Sequence, residues 1–128
     1  MKLRIRGDTM RLRLKRGEVD QIAAGISVSE ETHFPGSVLT YRLDVSDDND
    51  LSASFDNGSL VINVPESKAL AWASTDEVSL YAEQKFSGIG SLSLLIEKDF
   101  RCIEPGYHRD GEDDDDTFPH PGAQSTGA

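Results

Sequence analysis

Five cations occupy alternate positions around one short turn: Lys2, Arg4 and Arg6 before Gly7-Asp8, then Arg11 and Arg13 after it. Residues two apart share one face of a β-strand, so this pattern lays positive charge along a single surface. The chemistry open to such a surface is recognition of an anion by ion pairs and charge-assisted hydrogen bonds. Residues 1–16 hold seven basic side chains against Asp8, a net +6, and residues 104–116 hold seven acidic ones against Arg109, a net −6. An acidic protein segment, or the chain's own acidic end, is therefore the partner of matching charge. Nucleic acid is disfavoured. Its binding is driven by phosphate neutralisation, which a chain of net charge −10 opposes, and no aromatic residue interleaves the basic ones to stack a base.

A second group with chemical potential lies near the C-terminus: Cys102, His108 and His120, with carboxylates between them. Thiolate and imidazole are zinc ligands, but the spacings are Cys-x5-His and His-x11-His, and neither matches a common zinc pair. The group remains a weak metal candidate, and no cofactor is expected. Asp113 to Asp116 are consecutive, whereas calcium loops alternate ligands with spacers around a glycine, so this run reads as a solvated acidic stretch. Gly88-Ile-Gly90 resembles part of a phosphate loop, yet the pattern after it is that of a strand and supplies no helix N-terminus. His33 precedes Phe34-Pro35-Gly36 at a strand end and reads as a surface histidine. Nothing local activates a nucleophile, which weighs against catalysis. A small metal-binding protein or enzyme using Cys102 and the two histidines is one alternative, and polyanion or nucleic-acid binding through the basic hairpin is another.

The elements that position the basic residues are legible from periodicity. Apolar positions of residues 1–34 recur in residues 51–84 at a constant offset of 50: Leu3/Ala53, Ile5/Phe55, Met10/Leu60, Leu12/Ile62, Leu14/Val64, Val19/Ala69, Ile22/Trp72, Ala23/Ala73 and Val28/Val78. Alternation about Gly7-Asp8 and Asn57-Gly58 predicts two tight hairpins. The first register sets Ile5 against Met10 and Leu3 against Leu12 on the apolar face, with Arg4 against Arg11 and Lys2 against Arg13 on the other. Like charges directly opposite are destabilising. The second hairpin carries Ser52, Ser54, Asp56, Ser59, Val61 and Asn63 on its corresponding face, so hairpin formation alone does not call for the charge. A short helix follows each hairpin, Arg16–Ala24 stopped at Gly25 and Pro65–Ala73 opened by its proline. Further strand pairs are expected over 27–34 with 38–45 and over 77–84 with 91–100, and Trp72 takes the core position of Ile22.

The expected fold is thus α+β, a pseudo-twofold duplication of a ββαββ unit with repeats at about 1–45 and 51–100. It would form a small sheet-rich core or a partly closed barrel with two short helices. Residues 1–102 form one domain, and 103–128 an acidic tail whose low hydrophobicity and high charge predict disorder, with Phe118 as an anchor back onto the body. One cysteine and no apolar leader or membrane span point to the cytoplasm.

The segments Met1-Lys-Leu-Arg-Ile-Arg-Gly7, Met10-Arg-Leu-Arg-Leu14, Leu51-Ser-Ala-Ser-Phe55 and Ile96-Glu-Lys-Asp-Phe-Arg-Cys102, ahead of Phe118-Pro-His-Pro121, resemble a family of small bacterial proteins known as a domain of unknown function. The resemblance spans nearly the whole chain and implies a small intracellular protein. It brings no catalytic residues with it. Together the readings favour a non-catalytic intracellular binding or adaptor protein that uses the basic hairpin face and the acidic tail.

Overall fold

Apolar alternation around a two-residue turn folds as a hairpin at both places where the sequence presents it. The computed structural model describes residues 1–86, 88 and 90–100. In chain order the elements are β1 (Lys2–Arg6), β2 (Thr9–Leu14), α1 (Arg16–Ala23), β3 (Val28–Phe34), β4 (Ser37–Ser46), β5 (Ser52–Asp56), β6 (Ser59–Pro65), α2 (Glu66–Ser74), β7 (Ser79–Phe86) and β8 (Gly90–Lys98). Both hairpin registers are those expected, with Leu3 opposite Leu12 and Arg4 opposite Arg11 in one, and Ala53 opposite Ile62 in the other. Positive φ at Gly7 in the first turn, and at both Asn57 and Gly58 in the second, is the geometry that matches strand twist.

The hairpins do not complete their sheets within their own halves. One sheet has the order β1-β2-β8-β7 and the other β3-β4-β6-β5. Strand β2 runs parallel to β8, with Leu12 opposite Ile96, and β4 runs parallel to β6, with Leu43 opposite Ile62. Each sheet therefore joins the first hairpin of one half to the last hairpin of the other. Exchanging β1 for β5, β2 for β6, β4 for β8 and β3 for β7 turns one order into the other, which is the expected pseudo-twofold.

Among the described residues no backbone ladder joins the two sheets, so the barrel does not close. They approach at two seams. At one, the Ala53 amide of β5 donates to Gln84 Oε1 of β7 at 2.7 Å; at the other, the Met1 amine reaches Glu30 of β3. The inner faces share one core of Met10, Leu12, Leu14, Leu43, Leu60, Ile62, Val64, Leu94 and Ile96 with the helix residues Val19, Ile22, Ala69 and Trp72. Trp72 is fully buried, like Ile22 at the matching position, and its indole Nε1 donates to the Val78 carbonyl at 3.0 Å. Among the described residues no polar or charged side chain is fully buried, and no helix is long and apolar enough to cross a membrane.

The constant offset of 50 does not persist. Val78 is 48% exposed and precedes β7, and Leu80, opposite Ile96, fills the place that Val28 holds opposite Leu43. The two helix ends explain the slip. Helix α1 stops at Gly25, whose left-handed backbone returns Ile26 N to Gln21 O and Gly25 N to Ile22 O. Helix α2 has no such glycine. Its last carbonyls are taken by hydroxyls, Ser74 Oγ to Leu70 O and Thr75 Oγ1 to Ala71 O, and extra residues intervene before β7. Pro65 also ends β6 and caps α2 instead of occupying its first turn. The apolar hairpin faces are likewise incomplete at their tips: Ile5 is 58% and Phe55 67% exposed, although Met10 and Leu60 opposite them are buried.

Gly58 also sits under a tertiary constraint. A Cβ there would lie 3.1 Å from the Val38 carbonyl, and its own carbonyl accepts from Thr40 N at 2.9 Å. Gly58→Ala should therefore lower stability by about 1–2 kcal/mol. Gly17, a helical position with open space around it, should give the opposite sign, with Gly17→Ala gaining about 0.5–1 kcal/mol. Denaturant midpoints of the two variants check both values.

Candidate functional site

Lys2, Arg4, Arg6, Arg11 and Arg13 all lie on the β1-β2 hairpin, on alternate positions whose neighbours Leu12 and Leu14 enter the core. The sheet adds a residue that the sequence pattern did not assign to them. Parallel pairing puts Glu97 of β8 beside Arg13, where its Oε1 accepts from Arg13 Nη2 at 2.9 Å and Nε at 3.1 Å and lies 3.6 Å from Arg11 Nε. A carboxylate thus stands between two cations of β2 and moderates part of their mutual repulsion. No local signal announces this contact, because 84 residues separate Arg13 from Glu97.

Where β1 faces β3 the seam opens into a cleft of about 540 Å³. Lys2, Arg4, Arg11 and Arg13 line one side, and Glu30 and Tyr41, opposite each other on β3 and β4, line the other. The volume lies within the usual range for ligand sites, and the groups lining the cleft are mostly cationic. A second cavity, of about 300 Å³, lies beside α2 and β7 and presents Leu51, Val64, Leu80 and Tyr81 with only Lys68 and Glu77 charged.

The inner end of the basic cleft holds a compact charge cluster. The Met1 α-amine donates to Glu18 Oε2 of α1 at 2.5 Å and to Glu30 Oε2 of β3. Glu18 also accepts from the Lys15 amide at 2.9 Å, which satisfies one amide at the start of α1. Burial opposes the charged amine, but hydrogen bonds to Glu18 and Glu30, and the charges of both, outweigh it and raise its pKa above the ordinary 8.0. Burial and the same two carboxylates push the Tyr41 phenol up as well. In the second half, the residues in register with Met1, Glu18, Glu30 and Tyr41 are Leu51, Lys68, Ala82 and Leu94. That position is built of apolar groups and one cation, so the polar cluster belongs to the first half only.

Cys102, His108, His120, Asp113 to Asp116, Phe118 and the expected tail 103–128 lie outside the described residues. Among those described, no group of three or more His, Cys, Asp or Glu side chains is arranged to hold a metal ion. His33 is exposed, 3.8 Å from Glu31; Gly88 lies in the connection between β7 and β8, and Gly90 opens β8 opposite Phe86. The chain matches the family of unknown function DUF7009 over residues 1–122. It belongs to that family. No curated protein and no solved structure matches it.

The raised amine pKa has a defined consequence for stability. The folded chain keeps this proton at pH values where the unfolded chain has released it, so the contribution is complete below pH 8.0 and is lost as pH rises through the folded value. Glu18→Gln should cost about 1–3 kcal/mol at neutral pH, as expected for a charged hydrogen bond. The gap between wild type and variant should then narrow as pH climbs above 8.0. Denaturant unfolding of both proteins across that range checks it, and a gap independent of pH would remove the amine from the account.

Proposed function

We propose that this DUF7009 protein is a non-catalytic binding protein whose basic hairpin face accepts an acidic polypeptide segment. The observation that carries the reading is the pairing of Lys2 with Arg13 and Arg4 with Arg11 directly across the hairpin. The counterpart hairpin holds Ser52 opposite Asn63 and Ser54 opposite Val61 at the same places, so the fold supports this architecture without clustered charge. Juxtaposed cations cost stability; Glu97 offsets part of that cost at Arg11 and Arg13, and an anionic segment laid along the face would add to that compensation.

An extended peptide suits the spacing. Lys2, Arg4 and Arg6 recur at about 7 Å along one strand face, which is also the repeat of alternate side chains in an extended polypeptide. The cleft between β1 and β3 runs from Lys2 and Arg4 to Tyr41 and Glu30, where a peptide backbone amide finds hydrogen-bond acceptors. The overall charge of −10 disfavours a long duplex and leaves a short acidic stretch as the better match. The single cysteine suits an intracellular setting.

Fluorescence anisotropy with a labelled oligo-glutamate peptide tests this in the full-length protein. Binding should weaken as salt rises through physiological strength. Replacing Lys2 and Arg4 together by Gln should reduce affinity about three- to tenfold, the sum of two exposed ion pairs. Tighter binding of a duplex DNA of equal charge than of the peptide would assign the face to nucleic acid instead.

A further inference from the structure

We infer that residues 104–116 of this chain are themselves the resident occupant of the basic hairpin face, so that an acidic partner binds by displacing them. The inference rests on the reading of that face as an acidic-segment site and adds its regulation.

Position comes first. Parallel pairing sets Leu14 opposite Lys98, and the Asp99 amide donates to the Leu14 carbonyl at 2.8 Å. The chain therefore leaves the sheet at the open end of the first hairpin, one residue beyond Arg13, which pairs with Lys2. It does not leave at the turn, nor beside the second hairpin. Length agrees with position. Five residues carry the chain from Asp99 to Glu104, a reach of up to about 17 Å, and β1 itself is about 17 Å long. Glu104 can thus reach the cations at the open end, Lys2 and Arg13, and the further twelve residues to Asp116 give length enough to reach Arg6 at the turn.

Charge completes the match. Residues 1–16 carry a net +6 and residues 104–116 a net −6. The second hairpin lies in the other sheet and presents Ser52, Ser54, Val61 and Asn63 in place of Lys2, Arg4, Arg11 and Arg13, so the charge stands on the hairpin beside which the chain leaves the sheet at Asp99. A tether of this kind gives an effective concentration on the order of 1 mM. That is enough to occupy a face whose individual ion pairs are weak, while leaving it open to exchange at physiological salt.

The test compares the full-length protein with a full-length variant in which Glu104, Glu112 and Asp110 together with Asp113 to Asp116 are replaced by Gln or Asn. At low salt the amide shifts of residues 2–15 should differ between the two proteins, and the difference should fade as salt is added. Labelled oligo-glutamate should bind the neutralised variant about tenfold more tightly, the factor expected when about 1 mM of internal competitor acts on a site of roughly 0.1 mM intrinsic affinity. Identical hairpin shifts with equal oligo-glutamate affinities would overturn the resident occupant and leave the proposed partner site standing. Hairpin shifts that differ while neither protein binds oligo-glutamate would overturn the partner site, and with it the competition.

Discussion

The parallel pairing of β2 with β8, and of β4 with β6, is the constraint from which the rest of the molecule follows. Neither half can complete a sheet alone, since each first hairpin finds its neighbour in the last hairpin of the other half. Leu12 and Leu14 are buried alongside Leu94 and Ile96, and Ile62 and Val64 alongside Leu43. A residue such as Leu12 or Ile96 gains about 1.5–3 kcal/mol from burial, and here that gain requires both halves at once. Parallel partners so distant in sequence must be brought together before they stabilise anything, which favours an all-or-none assembly over two independently stable halves.

The same pairing shapes the electrostatics. It sets Glu97 beside Arg13 and Arg11, and it brings the chain past Leu14 on its way to the acidic run. Had β2 paired with β4 of its own half, neither contact would form. The seam between β1 and β3 is the complementary consequence: two sheets that share a core without a closing ladder leave an opening, and in the first half its walls carry Arg4, Arg13, Glu30 and Tyr41. The core itself is apolar on both sides of the pseudo-twofold, and the two halves diverge chiefly where they meet solvent. That division explains how one architecture holds a basic hairpin in one half and a neutral one in the other.

Local chemistry made much of this legible in advance. Turn type and alternation determined both hairpin registers to the residue, because a two-residue turn leaves no freedom in pairing. Helix spacing identified Ile22 and Trp72 as core for a similar reason. Three features lay beyond reach. Which hairpin adjoins which depends on contacts between distant strands, and either half could supply an equally apolar neighbour. Val78 was misaligned because its apolar character hid the extra residues after α2, a helix that lacks the glycine terminating α1. Ile5 and Phe55 have the parity of core residues but sit near hairpin tips, and alternation reports which face a side chain occupies without reporting how far the opposing layer extends. At the candidate site the five cations and their common face were readable, whereas Glu97, Glu18, Glu30 and Tyr41 were joined to them only by the fold.

The most direct test of this account is the identity of the strand beside β2. Backbone NOEs in the full-length protein should connect the amides and Hα protons around Leu12 with those around Ile96, and those around Ile62 with those around Leu43. Cross-peaks linking the Leu12 region to the Leu43 region instead would place each hairpin within its own half. That result would contradict the shared core, the contact of Glu97 with Arg13, and the position from which the acidic run departs.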